Sequence, residues 1–111
     1  MAAGTYNFII DQGATFTRQL TVKEDGSAMN LTGYSVASKF RSTHDSSTVV
    51  GTFACSITTA TSGIITMAMT ASTTAAIEEG IYVYDLEITS GSGTVTRLLQ
   101  GEVTVNPEVT R

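Results

Sequence analysis

Residues 80–105 read GIYVYDLEITSGSGTVTRLLQGEVTV, and this stretch decides the fold. Side chains along a strand alternate between two faces, so the residues sort two by two. Tyr82, Tyr84, Leu86 and Ile88 fall on one face of a first strand, with Val83, Asp85, Glu87 and Thr89 on the other. In a return strand, Val95, Leu99, Val103 and Val105 share a row with Arg97 and Gly101. The opposite row, Thr94, Thr96, Leu98, Gln100, Glu102 and Thr104, is mostly polar. Ser90-Gly91-Ser92-Gly93 lies between the runs, with two glycines to supply the positive φ of a short turn. The spacing predicts a β-hairpin against which the rest of the chain packs. Asp85 and Arg97, if their rows face one another, would pair across it and help to fix its register.

Outward from the hairpin, the same alternation recurs. Residues 5–11 (TYNFIID) predict a first strand closed by the turn Asp11-Gln12-Gly13. Ala14 to Glu24 predict a second, with Phe16, Leu20 and Val22 inward and Arg18 interrupting that row, placed either near a sheet edge or in reach of a carboxylate. Asp25-Gly26 is a hairpin-type pair. Strands over Tyr34–Arg41, Val49–Ile57 and Ile64–Thr70 follow, separated by the polar loop 42–48 (STHDSST) and the turn Thr58–Gly63. One stretch departs from period two. Residues 72–79 predict a helix of about two turns, with Ser72 as N-cap and Gly80 as its stop. Ala76 and Ile77 would cover an end of the core, while Glu78 and Glu79 oppose the helix dipole. Pro107 takes the tail out of the last strand.

A chain of 111 residues is expected to form one domain, residues 1–111, with a core of its own. The hydrophobic fraction of 41% supports a folded chain, while the charged fraction of 14% leaves little for solvated helix surfaces. Seven or eight strands with turn signals every 8–12 residues predict an all-β sandwich or barrel. Net charge is −4 and no basic cluster occurs, so nucleic acid is not an expected partner. No apolar run is long enough for a membrane helix, and Met-Ala-Ala-Gly carries no secretory signal, so a soluble protein made in a cytoplasm is expected.

Chemistry-bearing residues are few. The single histidine, His44, sits beside Asp45 in a Ser/Thr loop, and the single cysteine, Cys55, lies in an apolar strand row. Neither a nucleophilic triad nor a metal site can be assembled from them. Asp85 and Glu87 on one strand face read as a wet sheet surface. No catalytic, cofactor-binding or metal-ligating residue is assigned, and no cofactor is expected. What remains is surface. Val83, Asp85 and Leu98, on the polar rows of the hairpin, are the candidate protein-contact residues. A threonine-rich edge strand would also invite strand addition.

Four segments together carry a resemblance. They are GATFTRQLTV (13–22), NLTGYSV (30–36), IEEGIYVYDLEI (77–88) and GTVTRLLQGEVTV (93–105), the last followed after Asn106 by PEVTR (107–111). They resemble small virion proteins of tailed bacteriophages, and in particular the immunoglobulin-like domain at the N-terminus of phage baseplate upper proteins. The resemblance implies an immunoglobulin-like antiparallel β-sandwich with a non-enzymatic structural role in the virion, built in the bacterial host cytoplasm. The implied partners are other virion proteins in a symmetric homo- or hetero-oligomeric assembly. A tail or baseplate position is expected first, then capsid decoration on the major capsid protein, then a carbohydrate-binding module. The long C-terminal extension of full baseplate upper proteins has no counterpart in these residues.

Overall fold

The computed structural model describes residues 4–24 and 26–109. In chain order the elements are β1 (Gly4–Thr5), β2 (Phe8–Asp11), β3 (Phe16–Thr21), β4 (Lys23–Glu24), β5 (Ser27–Ala28), β6 (Ser35–Arg41), β7 (Gly51–Thr59), a 3₁₀ turn (Ala60–Ser62), β8 (Ile64–Met69), α1 (Ala71–Ala75), β9 (Gly80–Thr89) and β10 (Val95–Asn106). The expected β4–β5 turn at Asp25-Gly26 lies partly outside the described residues, as does the end of the tail.

One curled sheet runs β1-β10-β9-β6-β7-β8-β3, with β2 also on β10, and β4–β5 stand apart as a small ribbon. The curl is made by β7. Its Gly51–Phe53 end pairs with β6, while Ala54–Thr59 pair with β8, so one strand serves two layers. The larger layer holds β2, β10, β9 and β6, and the smaller holds the rest of β7 with β8 and β3. Strand neighbours β6-β9-β10 opposite β7-β8-β3 reproduce the C-F-G and D-E-B arrangement of an immunoglobulin-like sandwich.

The sheet is mixed rather than wholly antiparallel. β1 and β2 run parallel to β10, with Thr5 opposite Gln100 and Phe8 opposite Val103. The strand expected over 5–11 is broken at Tyr6–Asn7 for a local reason. Tyr6 O turns inward to accept the Tyr84 hydroxyl at 2.6 Å instead of serving the ladder. Asn7 Oδ1 takes its place, accepting Glu102 N at 2.9 Å.

The aromatic rings tie the layers together. Phe53, from the strand shared by both, lies 5.4–6.3 Å from the rings of Phe8, Phe16, Phe40 and Tyr84. Phe8 meets Phe16 edge-on at 5.6 Å, from β2 in one layer to β3 in the other. The inward row of β9 is as expected, since Tyr82, Tyr84, Leu86 and Ile88 are all buried.

The return strand departs from simple alternation. A bulge between Arg97 and Leu99 inserts Leu98 as an extra residue opposite Glu87 and Leu86. The pleat changes phase there. Leu98 turns into the core at 8% exposure, whereas Val95 is 57% exposed and Arg97 lies outside. In the turn before it, Gly93 has positive φ (95°) and Gly91 does not. Just ahead of β7, Val50 packs on the core and Val49 faces solvent.

The helix is shorter and earlier than residues 72–79. It spans Ala71–Ala75, and Thr70 rather than Ser72 is the N-cap, accepting Thr73 N at 3.3 Å. β8 ends at Met69, so Thr70 is the first extended residue available for that cap. Glu78 and Glu79 fall beyond the helix and do not oppose its dipole. Of the two expected covering residues, Ile77 is buried and Ala76 is exposed. Thr74 is fully buried and accepts Gly13 N at 3.1 Å, with its hydroxyl 2.8 Å from Ala14 O. This bond fixes the crossing from β8 to β9 against the β2–β3 turn.

Tyr82, near the start of β9, donates its hydroxyl to Glu78 O at 2.5 Å, four residues upstream. A tyrosine returning to the backbone at this corner is a feature of immunoglobulin-like sandwiches. Tyr82→Phe is expected to destabilise the fold by about 1 kcal/mol, because the carbonyl at this exposed turn can turn to water. Burial, with Glu78 second, raises the Tyr82 phenol above its ordinary 10.0, and burial with Tyr6 second raises that of Tyr84. A raised phenol means that the fold favours the neutral form. This contribution is complete below pH 10 and is lost as the pH climbs past it. Urea midpoints of parent and Tyr82→Phe measured up to pH 11 should therefore converge at the alkaline end.

Candidate protein-contact face

The outer face of the larger layer is set by strand register, because residues paired across strands point the same way. Ile9, Thr104 and Ile81 form one row across β2, β10 and β9. Glu102, Val83 and Arg41 form the next across β10, β9 and β6. Gln100, Asp85 and Lys39 follow, then Arg97, Glu87 and Ala37. One corner is thus apolar and the middle is a lattice of opposite charges.

Exposure agrees with this plan. Ile9 and Ile81 are 58% and 63% exposed, far above what an isoleucine in a sheet interior shows. Between the middle rows lies a concavity of about 350 Å³, with Lys39, Arg41, His44, Asp85, Glu87 and Arg97 on its walls. Arg97 Nε stands 3.3 Å from Asp85 Oδ2, so the expected cross-strand pair forms. It does so diagonally, since Asp85 faces Gln100 and Arg97 faces Glu87. With both side chains well solvated, its contribution is expected within about 1 kcal/mol. Arg41 Nη1 donates to Ser46 O at 3.2 Å, holding the polar loop 42–48 at the rim.

The three candidate contact residues separate here. Val83 and Asp85 lie on this face and on the concavity. Leu98 does not, because the bulge turns it into the core. Ile9 and Ile81 were missed. The available signal was that Ile81 shares a parity with Val83 and Asp85. Ile9 has a period-two signal as well, but its row on the sheet depends on the parallel pairing with β10.

Other chemistry-bearing groups are dispersed. Among the described residues no three His, Cys, Asp or Glu side chains converge as a metal site. No helix of the described residues is long and apolar enough to cross a membrane. His44 is exposed at the rim of the concavity. Among the described residues, Tyr6 is the one aromatic far out of the core, 47% exposed and with its ring 5.0 Å from that of Phe8. Burial pushes the Cys55 thiol up from 9.0 to about 11. The thiolate is the reactive form, so native Cys55 is expected to react with a disulfide reagent at pH 8 about a hundredfold more slowly than the unfolded chain. Equal rates would show that the strand row opens readily.

No family model matches the chain, and no curated protein matches it. Among solved structures, a chain is similar in a study of the structural basis of T cell specificity and activation by the bacterial superantigen toxic shock syndrome toxin-1. The identity is 17%, with a TM-score of 0.49 over 90% of this chain and 92% of that one.

Proposed function

We propose that this protein is a non-enzymatic structural component of a tailed-phage virion, tail- or baseplate-associated, that acts by protein–protein contact in a symmetric assembly. The observation that carries the contact role is the outer face of the larger layer. Ile9 and Ile81 offer an exposed apolar corner, and Glu102, Arg41, Asp85, Lys39 and Glu87 extend from it across the middle of the face with charge of both signs. Exposed isoleucines beside charges of both signs give a partner both apolar area to bury and polar groups to pair with. The phage setting rests on the four sequence segments described above. Three of them, residues 30–36, 77–88 and 93–105, lie on β6, β9 and β10 or lead into them.

Immunogold labelling of purified particles with antibody against this chain tests the assignment. Labelled tails are expected, labelled heads would replace the tail reading by capsid decoration, and unlabelled particles would overturn the virion role. Ile81→Lys tests the contact face. The site is exposed, so the variant should fold like the parent while its incorporation into particles falls by about tenfold or more. Normal incorporation would remove this face from the assembly.

A further inference from the structure

The curled sheet ends at β3, which among the described residues pairs with β8 alone. β3 and β2 are joined by a short turn and stand on the same side of the sandwich, yet all pairing of the N-terminal strands goes to β10. Among the described residues, the side of β3 away from β8 is therefore an open edge. Its polarity can be assigned. Val22 N donates to Gly63 O at 2.7 Å and Val22 O accepts Met29 N at 2.9 Å, so even-numbered residues direct their amides towards β8 and its neighbours. Antiparallel pairing continues through Thr21–Phe16 without a register shift. The amides and carbonyls of Thr17, Gln19 and Thr21 consequently face outwards.

Sheet edges in stable proteins are commonly blunted, and a charge on the inward row is one device for it. Arg18 occupies that place between Phe16 and Leu20. Its guanidinium lies 5.4 Å from the centre of the Phe16 ring and 3.4 Å from Thr17 O. Among the described residues it meets no carboxylate. Self-pairing of two copies about Gln19 would set their Arg18 side chains diagonally across the junction, an unfavourable like-charge contact.

We propose that the edge of β3 takes up an extended segment of another protein as an added strand, with a carboxylate of that segment facing Arg18. Main-chain bonds to Thr17, Gln19 and Thr21 supply the attachment, and Arg18 selects an acidic residue at one position. Apolar side chains on either side of that carboxylate would rest on Phe16 and Leu20. This edge lies on the smaller layer, apart from the face of Ile9 and Ile81, and its use does not depend on a virion setting.

The test uses the isotopically labelled full chain and a capped peptide, Thr-Val-Thr-Glu-Thr-Val-Thr, as the probe. Hydrogen exchange of the Thr17, Gln19 and Thr21 amides should be fast in the free protein and slowed by the peptide. Replacing its glutamate by lysine should weaken binding about fivefold, and Arg18→Glu should reverse the preference. N-methylation of the central residues should abolish the effect. Slow exchange of these amides without peptide, no response at millimolar peptide, or equal binding of the acidic and basic peptides would overturn the proposal.

Discussion

Phe53→Ala is expected to lower the unfolding free energy by about 3–5 kcal/mol, the range for removing a buried aromatic ring. Phe53 is 2% exposed and touches four other rings drawn from β2, β3, β6 and β9. It sits where β7 leaves the larger layer for the smaller one, so neighbours in both layers lose packing at once. Small domains are stable by about 5–15 kcal/mol, so this one change removes a large share of the total. With an m-value of about 1–1.5 kcal/mol/M, the urea midpoint should fall by about 2–5 M. A fall below about 1 M would mean that the layers collapse around the missing ring and that the cluster is not the joint described here.

Gly101→Ala should cost about 1–3 kcal/mol, for a different reason. A Cβ at Gly101 would overlap the Tyr6 carbonyl oxygen and lie 2.8 Å from Asn7 Oδ1. Neither oxygen is free to withdraw. Tyr6 O holds the Tyr84 hydroxyl and Asn7 Oδ1 holds Glu102 N. The methyl group must therefore push β1 and the start of β2 away from β10, and the Tyr84 hydroxyl then loses its acceptor. Exchange of the Tyr6 amide, bonded to Gln100 O at 3.0 Å, reads this locally. It should accelerate far more than the amides of β8. Unchanged exchange at Tyr6 with an unchanged midpoint would show that the chain can pass over an alanine here.

Gly101 also shows how far the sequence can be read. A glycine inside a strand marks a bulge or a close approach of another backbone. The glycine is plain in the sequence, but the approaching backbone comes from 95 residues earlier in the chain. The adjacent leucines, Leu98 and Leu99, pose the same difficulty. Strict alternation can bury one of them, and the row of Val103 and Val105 selects Leu99. The bulge lets both reach the core, Leu98 more deeply. For the candidate face, Val83 and Asp85 follow from parity along β9, a strand without irregularity. Leu98 fails because parity was carried through the bulge. The helix moved for a similar reason: Ser72 and Thr70 are both good caps, and the end of β8 chose between them.

By itself the sequence determined the β-rich class, the hairpin of residues 80–105 and the inward rows of its first strand. Those follow from a period of two that each strand expresses locally. Tertiary structure alone decided that β7 divides between two layers, that β2 lies parallel on β10, that Leu98 turns inward and that β3 is left as an open edge. Each of these depends on which strand lies beside which, and the backbone hydrogen bonds that settle it join residues far apart in the chain and are indifferent to side-chain identity.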